Sequence, residues 1–350
     1  MTNKVTQDQA AADGSTAIQA GGDVVIHNGI TYTEARQIAL DICQSHLREL
    51  TDQAKQVAQD RAEEVTDAFL EKLMAENPEG IGKAREPGFQ FALGTVQKEY
   101  ARTGDEDLAD LLVDLLVDRT KQPNRDLVQI VLDESLATAP KLTEGQLANL
   151  AVMFLFKYTQ NYGVNSHKAL GKYFDDFVRP FAEKLVKSTA SFQHLEFTGC
   201  GSSLLSVKLE SRIGEIYPGL FVKGVGVQEL EDAGLTSDVY SKFFRTCLND
   251  GQKIQVDAIN EEALKKVFEQ RGASEEDQEK IKRFLDVNKM NDQEIREKCI
   301  EIRDYMENVF DTWSNSGMTS FRLTSVGIAI AHANIKRLVG KFADLSIWIH

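Results

Sequence analysis

Four cysteines occur in 350 residues, and Cys43, Cys200, Cys247 and Cys299 lie too far apart to form a CxxC pair. That spacing argues against a disulfide framework and against a zinc knuckle. Long apolar runs are also missing. The longest uncharged ones, AVMFLF (151–156) and VGIAIA (326–331), fall far short of the ~20 residues a membrane-spanning helix needs. The opening MTNKVTQDQAAADG has no apolar signal-peptide core. A soluble, reduced, cytoplasmic protein without membrane association is expected. Neither GxxxxGK[ST] nor GxGxxG is present; GVGVQE (224–229) is the nearest glycine-rich stretch. The six histidines, at 27, 46, 167, 194, 332 and 350, form no HExxH and no i, i+4 pair. No cofactor and no metal are expected. Basic excess is lacking too, since 54 acids against 40 bases leave a net charge of −14. Such a surface repels phosphate backbones, and the best basic patch, Lys336, Arg337 and Lys341, is small.

What is present is helical periodicity. Charged residues at 27% and hydrophobic ones at 42% are an ordinary globular balance. Residues 1–14 read as a disordered tail. STAIQAGGDVVIHNGIT follows, and its Gly21-Gly22 between two strand-like runs predicts a β-hairpin over 15–31. Thr33 with Glu34 is the expected cap of the next helix. From 34 to 75 no proline or glycine interrupts the chain, and small or apolar residues recur from Ala35 to Leu73 in steps of 4, 4, 4, 3, 4, 4, 4, 3, 4 and 4. This predicts one long helix over 32–76, roughly 60 Å at 1.5 Å per residue. Its Ala54, Ala58 and Ala62 make a small-residue face that admits another backbone.

NPEGIGKAREPG (77–88) is the first break, with two prolines and three glycines. Successive amphipathic segments then predict a helical bundle over 77–248, with Thr143-Glu144 at a cap and Pro180 kinking or restarting a helix. Residues 236–248 are one of its helices. Over 249–350 the pattern predicts a winged-helix-like α+β module. There SGMTSFRLT (316–324) reads as a strand, Thr324 as a cap, and Gly327 as a point of close strand–helix approach. LSIWI (345–349) reads as a closing strand. The fold class is therefore mainly α.

Three features invite a chemical reading. In TGCGSS (198–203), glycines flank Cys200, and His194 precedes it by six residues. This is the candidate catalytic pair of a thiol-dependent hydrolase or transferase, with the histidine as base. It matches no cysteine-hydrolase signature, and a tight turn around a small buried thiol is the favoured reading. Asp107, Asp110, Asp114 and Asp118 line one helix face at spacings of 3, 4 and 4. A single helix cannot wrap a cation, so a solvated acidic stripe is favoured. His46 and His332 read as packing residues. A third option, a DNA-binding regulator using 274–341, lacks a clearly basic recognition helix.

Two stretches carry a resemblance. STAIQAGGDVVIHNGITYTEARQIALDI and FRLTSVGIAIAHANIKRLVGKFADLSIWI resemble the two ends of a group of poorly characterised bacterial proteins. That group is similar to members of anti-phage conflict systems. The resemblance implies a bacterial origin and a defence setting, and brings no active-site residue with it. The function expected is a homo-oligomeric sensor or scaffold acting through protein–protein contact, with other copies, with a protein of the same system, or with a phage protein. The expected oligomerisation residues are Ile18, Val24 and Ile26 in the hairpin and Ala54, Ala58 and Ala62 on the helix, because a two-stranded hairpin alone is marginal in water.

Overall fold

A computed structural model describes residues 30–46, 51–340 and 342–349. The predicted hairpin, with Ile18, Val24 and Ile26, lies outside the described residues.

The first helix, α1 (Tyr32–His46), starts one residue before the expected cap. Thr31 caps it, not Thr33: the Thr31 hydroxyl accepts from the Glu34 backbone N–H at 3.2 Å, and the Glu34 carboxylate accepts from the Thr31 N–H at 2.9 Å. The predicted 60 Å helix is instead two helices, α1 and α2 (Asp52–Glu76), packed antiparallel. Arg36 pairs with Asp67 at 2.7 Å, and Cys43 packs with Ala58 and Ala62. The stripe itself is real: Ala35, Ala39, Cys43, Ala58, Ala62, Val65, Phe69 and Leu73 are all buried. A periodic stripe is equally well satisfied by folding back on itself, so periodicity alone does not distinguish a rod from a hairpin. Ala58 and Ala62 therefore receive a helix of the same chain, while Ala54 is exposed.

Helices continue with α3 (Pro87–Thr103), α4 (Glu106–Thr120), α5 (Leu127–Thr138) and α6 (Glu144–Tyr158). Thr143 caps α6 as expected, and Gln146 reciprocates to complete a capping box. The helix α7 (His167–Tyr173) then widens into a π turn at Phe174–Val178 before α8 (Arg179–Ala182), so Pro180 sits at a helix start after an irregular turn. Next come α9 (Thr189–Phe197), β1 (Gly201–Ser203) and α10 (Leu209–Ile216).

A separate small core follows. It is built from α11 (Val227–Asp232), α12 (Ser237–Phe243), the antiparallel pair β2 (Phe244–Thr246) and β3 (Ile254–Val256), α13 (Glu261–Arg271) and α14 (Glu275–Leu285). Leu230, Phe243, Val256, Leu264, Phe268 and Ile281 fill it. The predicted helix over 236–248 is thus a seven-residue helix that passes directly into a strand. This core straddles residue 249, where the sequence placed a boundary.

The chain returns to the main core with α15 (Asp292–Ile302), α16 (Met306–Ser314), β4 (Phe321–Leu323) and α17 (Ser325–Val339). Among the described residues, the segment predicted as a winged-helix-like module over 249–350 is divided between the small core and the main core. Its strand β4 pairs antiparallel with β1, with Gly201 opposite Leu323, and α17 packs on α4, α5 and α6. Thr324 does cap α17, accepting from the Gly327 N–H at 3.2 Å. Gly327 matters because a methyl group there would overlap the Cys200 carbonyl oxygen. LSIWI forms a 3-10 turn at Leu345–Ile347, not a strand, because Trp348 turns inward to donate to the Tyr158 carbonyl at 2.9 Å.

Candidate functional site

Cys200 sits in the turn that ends α9. Gly199 adopts a φ of +76°, the Cys200 N–H donates to the Leu195 carbonyl, and its own carbonyl accepts from Thr324 N–H. The thiol is fully buried, and burial pushes its pKa up, against a smaller opposing effect of the Thr198 hydroxyl. An activated cysteine needs the opposite shift and an approach for substrate. His194 Nδ1 lies 3.0 Å from the Gln146 amide nitrogen, on a different helix. The structure assigns both residues hydrogen-bonding and packing duties, and the glycines around Cys200 serve the crossing of α17.

The acidic stripe and the basic patch turn out to be two halves of one network. Asp114 has no exposed surface and Asp118 little, which overturns the expectation of a solvated face for these two, while Asp107 and Asp110 are exposed. Lys336 Nζ from α17 lies 2.8 Å from Glu76, 3.0 Å from Asp118 and 3.4 Å from Asp114. Lys72 approaches Asp114 at 2.7 Å, and Lys121 pairs with both Glu76 and Asp118. Three carboxylates therefore meet three ammonium groups where α2, α4 and α17 converge. Burial alone would lower the Lys336 pKa, but Asp118, Glu76 and Asp114 outweigh it and hold the ammonium charged. Arg337 pairs with Asp107 at 2.6 Å. Neither half remains free to bind a cation or a nucleic acid, and Lys341 lies outside the described residues. His332 reads correctly as a packing residue, with Nε2 2.7 Å from the Ala343 carbonyl.

A cleft of about 700 Å³ lies at the C-terminal end of α6. The last four carbonyls of a helix have no partner within it, and here side chains from three places supply them. Thr159 donates to Leu155 O at 2.7 Å. Arg212 of α10 donates to Phe156 O at 3.0 Å and Lys157 O at 3.4 Å. Trp348 serves Tyr158 O. Lys157 points the other way, donating to the carbonyls of Met318 at 2.6 Å and Phe321 at 2.8 Å, with its ammonium 5.0 Å from the Trp313 ring centroid. Burial without an opposite charge pulls its pKa down to about 8. Sequence reasoning missed this hub. The only local hint was KYTQNY (157–162), whose dense hydroxyl, amide and aromatic groups follow the apolar run AVMFLF of α6.

One edge of the molecule exposes large apolar side chains. Phe197 at the end of α9 is 87% exposed, and Leu204 and Leu205 just after β1 are 56% and 90% exposed. Val207 adds a fourth at 36%. The edge is rigidly held: Ser203 donates through its N–H and its hydroxyl to the Glu196 carboxylate, and Leu204 N–H donates to the Ser320 carbonyl at 2.7 Å.

These features define a mainly helical protein with two small strand pairs; among the described residues no helix is long and apolar enough to cross a membrane. The chain belongs to an uncharacterised "-like" family whose model matches residues 29–349. No curated protein and no solved structure matches it. The match begins where the described fold begins, at the residue before buried Ile30, so the glycine-rich segment largely precedes it.

Proposed function

We propose that the protein works by protein–protein contact, as a homo-oligomeric sensor or scaffold. The observation that carries this reading is the apolar edge of Phe197, Leu204, Leu205 and Val207. The four expose on the order of 500 Å², the upper range for the largest apolar patch on a soluble monomer, and such patches mark interaction sites. A standard interface buries about 800 Å² per partner, somewhat over half of it apolar. The edge supplies that apolar share. Its backbone is fixed by Glu196 and Ser320, so little ordering entropy opposes binding.

Sedimentation velocity of the full chain tests the reading. A concentration-dependent assembly is expected, weakened at least tenfold by Leu205→Asp with Phe197→Asp; a chain that stays monomeric before and after the substitutions overturns it. The contribution of the glycine-rich segment is separable by removing residues 1–28. The cut must spare Ile30, which is buried, and Thr31, which caps α1. The bacterial anti-phage setting implied by the resemblance belongs to the same proposal, and phage plating efficiency on cells with and without the gene tests it.

A further inference from the structure

We infer that the cleft at the C-terminal end of α6 binds a nucleoside: an uncharged flat heteroaromatic ring carrying a ribose-like diol. Small-ligand sites are concave, mostly apolar or aromatic, and carry a few placed polar groups, with volumes of about 300–1,000 Å³. This cleft, at about 700 Å³, is lined by Tyr158, Tyr162, Tyr173, Phe177, Phe342 and Trp348. Aromatics are 8% of the chain, so six around one cleft is a strong local enrichment. They form a continuous row. Tyr173 stacks on Phe177 at 5.3 Å, Phe177 meets Phe342 at 6.1 Å, and Phe342 stacks on Trp348 at 5.9 Å and 18°. Phe177, Phe342 and Trp348 keep part of their surface open, and Tyr162 on the rim is 68% exposed. A flat ring extends such a row, and base–aromatic stacking tolerates any base.

Charge narrows the class. The two cations in the lining are already committed: Lys157 to backbone carbonyls and Arg212 to the end of α6 and to Glu215 at 3.1 Å. A phosphate would find no unspent cation and would face the Glu215 carboxylate. The remaining groups are neutral or acceptors. Gln160 gives one amide N–H to Ile216 O at 3.2 Å, and Asn161 uses its side-chain oxygen on Gly163 N–H at 2.9 Å. That leaves an amide acceptor on Gln160 and an amide donor on Asn161, the pair a base edge requires. Glu215, 62% exposed at the rim, bonds Arg212 through one oxygen and keeps the other for hydroxyl donors.

Calorimetric titration of the full chain with adenosine, guanosine, cytidine and uridine tests the site, with each 5′-monophosphate as comparator. At least one nucleoside should bind, and its monophosphate should bind about tenfold more weakly. Tyr162→Ala and Glu215→Ala should each weaken the nucleoside about fivefold or more, the scale of one lost stacking or charge-assisted contact. Both positions are exposed, so the thermal midpoint should not move. Absence of binding by all four nucleosides at millimolar concentration overturns the inference. So does binding unaffected by both substitutions, or a monophosphate that binds as tightly as its nucleoside. The readout does not involve assembly, so its failure leaves the contact reading standing.

Discussion

The main core and the small core of residues 225–285 solve the same problem with different chemistry. In the main core, α2, α4 and α17 close over full charges: Asp114, Asp118 and Glu76 against Lys72, Lys121 and Lys336. The small core is joined to the rest by neutral amides reading backbone. Gln255 donates to Gly219 O at 2.7 Å, Asn249 donates to Leu220 O and Val222 O, and Gly219 N–H donates to Ile259 O. A buried charge network tolerates no missing member, because each loss strands an unpaired ion. An amide clamp loses only the bonds removed. The main core should therefore fail as a unit, and the small core should loosen by itself.

The strongest test of that contrast is Lys336→Met. It removes the cation shared by Glu76, Asp114 and Asp118 while keeping the side-chain bulk. A loss of about 3–5 kcal/mol is expected, the range for breaking a buried pair from one side. Chemical denaturation should show the main-core helices α2, α4 and α17 melting together at lower denaturant. A change under 1 kcal/mol would mean that the network contributes little and that apolar packing alone holds the three helices.

Phe268→Ala acts on the other side of the comparison. Phe268 is 5% exposed and packs edge-on against Phe243 at 5.7 Å. Truncation should cost about 3 kcal/mol, confined to the small core. Hydrogen exchange should then lose protection across residues 225–285 and keep it in α4, α6 and α17. Equal loss in both regions would show one cooperative unit and end the distinction. Gln255→Ala is the milder version. Gln255 is 3% exposed and also accepts from Leu248 N–H at 2.8 Å, so about 1–3 kcal/mol should go, again locally.

The same contrast governs what the sequence made legible. The helices of the main core were readable because their apolar stripes and caps, such as Thr143 and Thr324, are local. Which element each stripe faces was not readable. The Ala58–Ala62 face suits a second subunit as well as it suits α1, and Asp114 and Lys336 are more than two hundred residues apart in sequence. Read separately, one looks like a solvated stripe and the other like a basic patch. The small core was least legible because β2 and β3 are three residues each, too short for alternation to register. Of the candidate site, the tight turn at Cys200 was legible from its flanking glycines, whereas His194 lies within α9. The α6 cleft stayed hidden because Tyr158, Arg212 and Trp348 converge only through the fold.

The finest test uses pH, and its sign follows from burial. His332 is 3% exposed in α17 beside the charge network, with Nε2 donating to Ala343 O and Nδ1 lacking a partner. Burial lowers its pKa from the ordinary 6.5, against the opposing bond to Ala343 and the charges of Asp118 and Asp344; Lys336 adds to the lowering. A depressed folded-state pKa means that the unfolded chain takes up the proton first. Stability is then complete above pH 6.5 and falls as pH drops through the lowered value. The neighbouring Asp344 and Glu76 titrate below their ordinary values of 3.8 and 4.5, so they do not contribute in that window. Lys336 remains charged throughout it, since Asp118, Glu76 and Asp114 hold its ammonium above the ordinary value despite burial. Denaturation midpoints measured from pH 7.5 to 5 should decline gently in the native protein. In His332→Gln, which keeps an N–H donor and does not titrate, the slope should flatten. An unchanged slope would assign the acid sensitivity to another group and leave the main core indifferent to His332.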